Sequence, residues 1–182
     1  FPIGTPWTFE PPNNKFPNPP WTNGICRNLL EDGFPVVPCN QNWSINFQQY
    51  YAGTFSLKSP KLDYLGVGNT KTYRGSAQLR LCSDFPGGQF TFQVFPGAVR
   101  PFDRLVILDN GVRAFEVRDA QNIGEQWIQA PPIPYILSKG PHQIEFQYEY
   151  NPFNLPLATV PANPNRDGGV WIDNVLIAPN PS

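Results

Sequence analysis

Residues 103–117 read Asp-Arg-Leu-Val-Ile-Leu-Asp-Asn-Gly-Val-Arg-Ala-Phe-Glu-Val. Apolar runs flank Asp109-Asn110-Gly111 on both sides. An Asn-Gly pair in that setting is the strongest short signal for a β-hairpin. A type I′ turn needs positive φ at both central residues, and Asn and Gly tolerate it best. The stretch therefore predicts a strand over 103–108, a tight turn, and a second strand over 112–117.

The reading extends outward in both directions. Trp43, Ile45 and Phe47 alternate with polar residues, as do Phe55 and Leu57, and Phe90, Phe92 and Val94. Period-two alternation is the mark of a strand with one buried face. The same pattern predicts strands around 78–82 and over 126–130, 142–149 and 169–177. No segment keeps a helical period, although 28–33 has room for one helical turn. About eight or nine short strands at regular spacing predict an all-β fold, a two-sheet antiparallel jelly-roll sandwich. Residues 150–168 are too long and too Pro-rich for a hairpin, and long loops of that kind tend to be functional.

Composition supports this class. The 182 residues include 23 Pro and 15 Gly, which alone would suggest disorder, but 40% of the chain is hydrophobic and only 15% charged. Short strands joined by Pro/Gly turns reconcile these figures. A chain of this size buries about 70% of its unfolded surface and needs no metal or dense disulfide set merely to fold. A net charge of −1 with no basic stripe argues against nucleic acid, and no apolar run reaches the ~18 residues of a membrane-spanning helix. The chain starts at Phe1 without a signal peptide, so it is expected to be a processed product or part of a longer protein.

Residues 1–24 form a separate segment, FPIGTPWTFEPPNNKFPNPPWTNG, with Pro-Trp-Thr at 6–8 and again at 20–22. Pro blocks helix and central strand, so the segment should be extended. It also carries Phe1, Trp7, Phe9, Phe16 and Trp21, a load of apolar rings that favours burial. They are expected to lie against the chain's own sandwich or against a neighbour. The leading expectation is a neighbouring copy, giving a homo-oligomer or head-to-tail filament. The sandwich domain is assigned to 25–182.

Chemistry-bearing residues are sparse. Cys26 and Cys39 enclose a short loop and are expected to form a local disulfide. Cys82 reads as a buried free thiol, a partner for Cys39, or a link to another chain. Asn42-Trp43-Ser44 is the single glycosylation sequon, with Asn42 as its acceptor. Together with the Pro content and the absence of Met it points to a secreted, extracellular or cell-surface product. The sole histidine, His142, reads as a structural strand residue. No Gly-x-Ser-x-Gly elbow, zinc ligand set or phosphate-binding glycine loop is present, so no enzyme is expected.

The pieces, in order, resemble a known group. Glu31-Asp-Gly-Phe-Pro35, Trp43, Tyr51-Ala-Gly-Thr-Phe-Ser-Leu-Lys-Ser59, Gly88-Gln-Phe-Thr-Phe92, residues 102–112, Trp127, Gly140-Pro-His-Gln-Ile-Glu-Phe-Gln-Tyr148 and Gly169-Val-Trp-Ile-Asp-Asn-Val175 are together similar to MAM domains and to carbohydrate-binding, concanavalin-like modules of secreted and cell-surface proteins. The resemblance covers 31–177. It implies a non-catalytic sandwich and a structural calcium held by Glu31 and Asp173. The Pro-rich segment, the cysteines and the 150–168 loop depart from the pattern.

Two functions follow as expectations. The first is an extracellular structural or adhesive subunit assembled through residues 1–24. The second is a glycan-binding module, in which sugar rings stack on Tyr51, Tyr64, Trp127 or Tyr150. Trp43 and Trp171 lie inside strand patterns and are expected in the core.

Overall fold

A computed structural model describes residues 7–9, 21–30, 37–38, 43–60, 73–95, 103–117, 126–150 and 170–179. Twelve strands lie within them. They are β1 (Trp7–Phe9), β2 (Trp21–Leu30), β3 (Val37–Pro38), β4 (Ser44–Asn46), β5 (Ser56–Lys58), β6 (Tyr73–Phe85), β7 (Gly88–Phe95), β8 (Asp103–Asp109), β9 (Val112–Val117), β10 (Ile128–Leu137), β11 (Gly140–Tyr150) and β12 (Trp171–Ala178). The first sheet has the order β10-β7-β12-β5-β4, with β1 also on β12, and the second has the order β3-β2-β6-β11-β8-β9. Every pairing is antiparallel.

From β5 onward the two sheets are β5-β12-β7-β10 and β6-β11-β8-β9. In this stretch only β8 and β9 are consecutive strands of one sheet, and every other step along the chain passes from one sheet to the other. That alternation is the jelly-roll sandwich read from the sequence.

The β8–β9 turn is as expected, with φ of 49° at Asn110 and 82° at Gly111. Two further corners carry the chain between sheets, at Pro86-Gly87 and at Ser138-Lys139. At the first, Gly88 has a φ of 151°, and a Cβ there would sit 2.1 Å from the carbonyl oxygen of Ala178. No other residue type fits that approach.

The core lies between the inner faces. Phe90 and Phe92 of β7 meet Phe146 of β11 at ring separations of 6.3 and 5.2 Å, and Trp21 of β2 meets the same ring at 6.0 Å. Trp43 is buried as expected and donates its indole N–H to the Ala77 carbonyl across the sandwich. Each fully buried large side chain contributes roughly 1.5–3 kcal/mol.

Three sequence expectations change. Trp21 belongs to the sandwich, not to a separate tail: its exposure is 0% and its ring packs on Phe146. The sandwich therefore includes residues before position 25. Residues 28–30 form no helical turn but the end of β2, paired with Tyr73, Arg74 and Gly75. The strand expected over 126–130 runs on to Leu137 through Pro131, Pro132 and Pro134. It does so because β10 is an edge strand, and its register shifts between Ala130 and Tyr135, where those prolines sit. Proline lacks a ladder donor and is tolerated only at edges and bulges.

Candidate functional site

Side chains of the first sheet alternate between the core and an outer face. Leu57, Phe90, Phe92, Val94, Ala130, Ile172 and Val175 go to the core. The residues between them form two rungs on the outer face. One rung runs Ser44, Lys58, Trp171 and Phe95, following the pairings Ser44↔Lys58↔Trp171↔Phe95, and is continued by Trp127 beside Phe95. The next holds Asn46 opposite Ser56, then Asp173, Gln93 and Gln129, with Asp173 opposite Gln93 and Gln93 opposite Gln129.

The first rung is a row of rings. The Lys58 ammonium lies 5.2 Å from the Trp171 ring centre, Trp171 meets Phe95 edge-on at 5.5 Å, and Phe95 meets Trp127 at 5.6 Å. Trp171 is thus buried as expected, but outside the core cluster, on the opposite face of its sheet.

Residues 47–54 link β4 to β5 at the edge of the sheet, and the loop reaches back across this outer face. Several side chains shape it. Asn46 Oδ1 accepts from the backbone N–H of Gln48 and Gln49, and the Ser56 hydroxyl donates to the Gln49 carbonyl. Phe47 and Phe55 meet edge-on at its base. Its tip is held by Asp173, whose Oδ2 accepts from the N–H of Tyr51 at 2.9 Å and of Ala52 at 3.0 Å, while Oδ1 accepts from Asn174 N–H at 2.7 Å. A backbone bend supports this: Asn174 has a φ of 49°, and the β12–β7 register shifts between Asp173 and Leu176. Hydrogen bonds to a charged acceptor contribute about 1.5–3 kcal/mol each.

The consequence is a ring pair at the surface. Tyr51 is 49% exposed and stands edge-on to half-buried Trp127 at 6.1 Å. Tyr50 and Phe47 are exposed on the same loop. The exposed Gln129 and half-buried Gln93 lie on the adjacent rung. An aromatic ledge beside amide donors and acceptors offers an apolar sugar face something to stack on and its hydroxyls something to bond.

Two of the four aromatic residues expected to bind glycan, Tyr51 and Trp127, are brought together. Tyr64 and the side chain of Tyr150 lie outside the described residues. Glu31 also lies outside them. Asp173, expected to be its partner on calcium, holds the loop through Oδ2, which accepts from the Tyr51 and Ala52 N–H groups. Among the described residues no three His, Cys, Asp or Glu side chains converge.

Asn42, Phe1, Phe16 and the 151–168 stretch likewise lie outside the described residues. Trp7 and Phe9 fall on β1, whose backbone pairs with Val175–Ile177 of this chain's own β12. Cys39 is not described. Cys26 falls on β2, opposite Ala77 of β6. Cys82 is free and exposed, not buried.

One cluster was missed from sequence. Asp109, at the β8–β9 hairpin, accepts from the Tyr135 hydroxyl at 2.8 Å and faces His142 Nδ1 at 2.6 Å. His142 Nε2 lies 3.1 Å from the Ser138 hydroxyl and 2.9 Å from the Ser138 carbonyl oxygen. A Ser–His–Asp relay needs Nε2 free to take the hydroxyl proton. The Ser138 carbonyl oxygen lies closer to Nε2 than the hydroxyl does and competes with it for that nitrogen. The cluster is a lock on the β10–β11 corner. Desolvation and the Asp109 contact raise the Tyr135 hydroxyl pKa to about 12.

No protein-family model and no curated protein sequence matches the chain. Solved structures do. The K1 cleaved adhesin domain of Lys-gingipain from Porphyromonas gingivalis aligns with a TM-score of 0.52 at 16% identity, covering 98% of this chain and 100% of that one. The K2 cleaved adhesin domain of Lys-gingipain also gives a TM-score of 0.52, at 11% identity, with coverage of 96% and 99%. TmCBM61, solved with β-1,4-galactotriose, aligns with a TM-score of 0.46 at 11% identity, covering 88% and 89%. At these identities the likeness to the adhesin domains is one of fold.

Proposed function

We propose that this chain is a non-catalytic adhesion module of a secreted or cell-surface protein, and that it holds glycans on the outer face of its first sheet. One observation carries this reading. Tyr51 presents an exposed ring against Trp127, on a loop whose position Asp173 fixes. A preformed apolar ledge with few, well-placed polar groups is the usual form of a small-ligand site. The full-length fold match to adhesin domains supports a module that binds.

Binding of the intact chain to a broad glycan array tests it. A positive glycan should be lost or weakened about tenfold or more in Trp127→Ala and in Tyr51→Ala, a change of ~1.4 kcal/mol. Tyr51 is exposed, so its variant should keep the wild-type thermal midpoint. Absence of binding across the array, or binding indifferent to both substitutions, sinks the reading.

A second reading, assembly through the N-terminal segment, keeps one supporting observation. The strand β1 has three residues, pairs only with β12 among the described residues, and occupies the edge beyond the end of β5. A neighbouring copy's segment would find the same edge. Because Trp21 is a core residue, the informative truncation removes 1–20 and not 1–24. If the full chain assembles and the truncated chain is a folded monomer, the segment is the link. Equal assembly by both discards it.

A further inference from the structure

The two outer faces of the sandwich differ sharply in charge. The described residues of the first sheet and its loops, 43–60, 88–95, 126–137 and 170–179, contain two charged side chains, Lys58 and Asp173. Both are engaged within the protein. Lys58 lies over the Trp171 ring and donates to the Ser59 carbonyl, and Asp173 accepts from three backbone N–H groups. Around them the face offers Gln93, Gln126, Gln129, Thr91 and the rings of Tyr51 and Trp127.

The second sheet is the opposite. Its outer face carries Arg104 bonded to Glu149 at 2.6 Å and to Glu116 at 3.3 Å, with Arg113 on Glu116 and Arg80 near Glu145. The contacts of Arg104 and Arg80 cross neighbouring strands, and Arg113 meets Glu116 along β9 itself. Among the described residues the charges thus gather on the second sheet, and the ring ledge has neutral surroundings.

Recognition of a carboxylate, sulfate or phosphate calls for Arg or Lys, usually in a forked geometry. A ligand anion moved onto this face would lose hydration without a counter-charge. Sugar hydroxyls place no such demand. An amide gives two donors and an acceptor, which suits a pair of neighbouring hydroxyls. Gln93 and Gln129 are direct cross-strand partners on the rung next to the rings, so their amides border a ring stacked on the ledge.

We propose that the ledge takes neutral glycans and discriminates against acidic ones, with Gln93 and Gln129 as its specificity-determining pair. This rests on the glycan-binding reading above and deepens it.

The test compares neutral oligohexosides with uronate-containing, sialylated and sulfated glycans on the array, using the intact chain. The strongest neutral binder is then titrated calorimetrically between about 0.01 M and 1 M salt, over which the screening length drops from ~30 Å to ~3 Å. Neutral glycans should bind, with affinity changing less than about twofold across that range. Gln129→Ala, at an exposed position, should weaken binding about fivefold or more while leaving the thermal midpoint in place.

Preferential binding of acidic glycans, weakened by salt yet still abolished by Trp127→Ala, would overturn the neutral specificity and leave the ledge standing. Binding that ignores both Trp127→Ala and Gln129→Ala would overturn the ledge itself, as would a failure of every glycan to bind.

Discussion

His142 Nδ1 sits 2.6 Å from Asp109 Oδ1, across 33 residues of chain, and the contact ties the β10–β11 corner to the tip of the β8–β9 hairpin. Asn110 strengthens the same junction, accepting from Gln143 N–H at 2.7 Å. Little of either side chain in the His142–Asp109 pair reaches solvent. Removing one partner therefore strands the other in a poorly hydrated place. His142→Ala should lower stability by about 1–3 kcal/mol in urea unfolding, whereas Ser138→Ala, which keeps the backbone carbonyl, should change it by less than about 0.5 kcal/mol. Hydrolytic activity that disappears in Ser138→Ala would contradict the structural role.

Tyr135 makes a prediction in alkali. Its hydroxyl is raised from the usual 10 to about 12, first by desolvation and then by the Asp109 carboxylate. Above pH 10 the unfolded chain loses this proton while the folded chain keeps it. The unfolded state then binds fewer protons, so stability falls with rising pH. The contribution is complete below pH 10 and declines as pH rises toward about 12. Tyr135→Phe should flatten this limb of the stability profile, measured by urea unfolding at stepped pH. An unchanged slope would mean that other groups produce it.

The hairpin at 103–117 was legible because turn chemistry and alternation agree there. The end of β10 was not, since its prolines speak against a strand and only the sheet order shows it at an edge. Trp21 was misassigned for a related reason: Pro19 and Pro20 mask a strand start, and burial depends on a β6 partner some 60 residues away. For the site, the residue types of Tyr51 and Trp127 were suggestive, but their contact was not readable. It depends on a loop folding back over its own sheet, and on Asp173 accepting from N–H groups 121 and 122 residues earlier in the chain.

That loop can be tested directly. Asp173→Ala removes the acceptor for the Tyr51 and Ala52 amides. Their hydrogen exchange should speed up well beyond that of neighbouring strand amides, because local opening then costs less. Global stability should fall by about 1–3 kcal/mol. Glycan binding should weaken along with the exchange protection. A loop that stays protected in the variant would show that Asp173 is dispensable for its placement.

Gly88 tests the corner between β6 and β7. A Cβ at this position would come within 2.1 Å of the Ala178 carbonyl oxygen, a backbone atom that cannot swing aside. Gly88→Ala must therefore push β12 and β7 apart or break their pairing at Gln89 and Ala178. A loss of about 3 kcal/mol is expected from the overpacking. Gly111→Ala, with positive φ but open space around it, should cost less. Equal losses in the two variants would mean that backbone conformation, not the close approach, sets the requirement at Gly88.

The cysteines give a chemical prediction. Cys26 and Cys39 are separated by a short stretch of sequence and are the expected local disulfide. Cys82 stands alone on the outer face of the second sheet, with its thiol 3.8 Å from Gln143 Oε1. Alkylation of the native, oxidised protein should therefore label Cys82 and spare the other two. Peptide mapping without reduction should recover the fragments of Cys26 and Cys39 joined. Recovery of Cys82 in a joined fragment with Cys39 would overturn the local Cys26–Cys39 pairing.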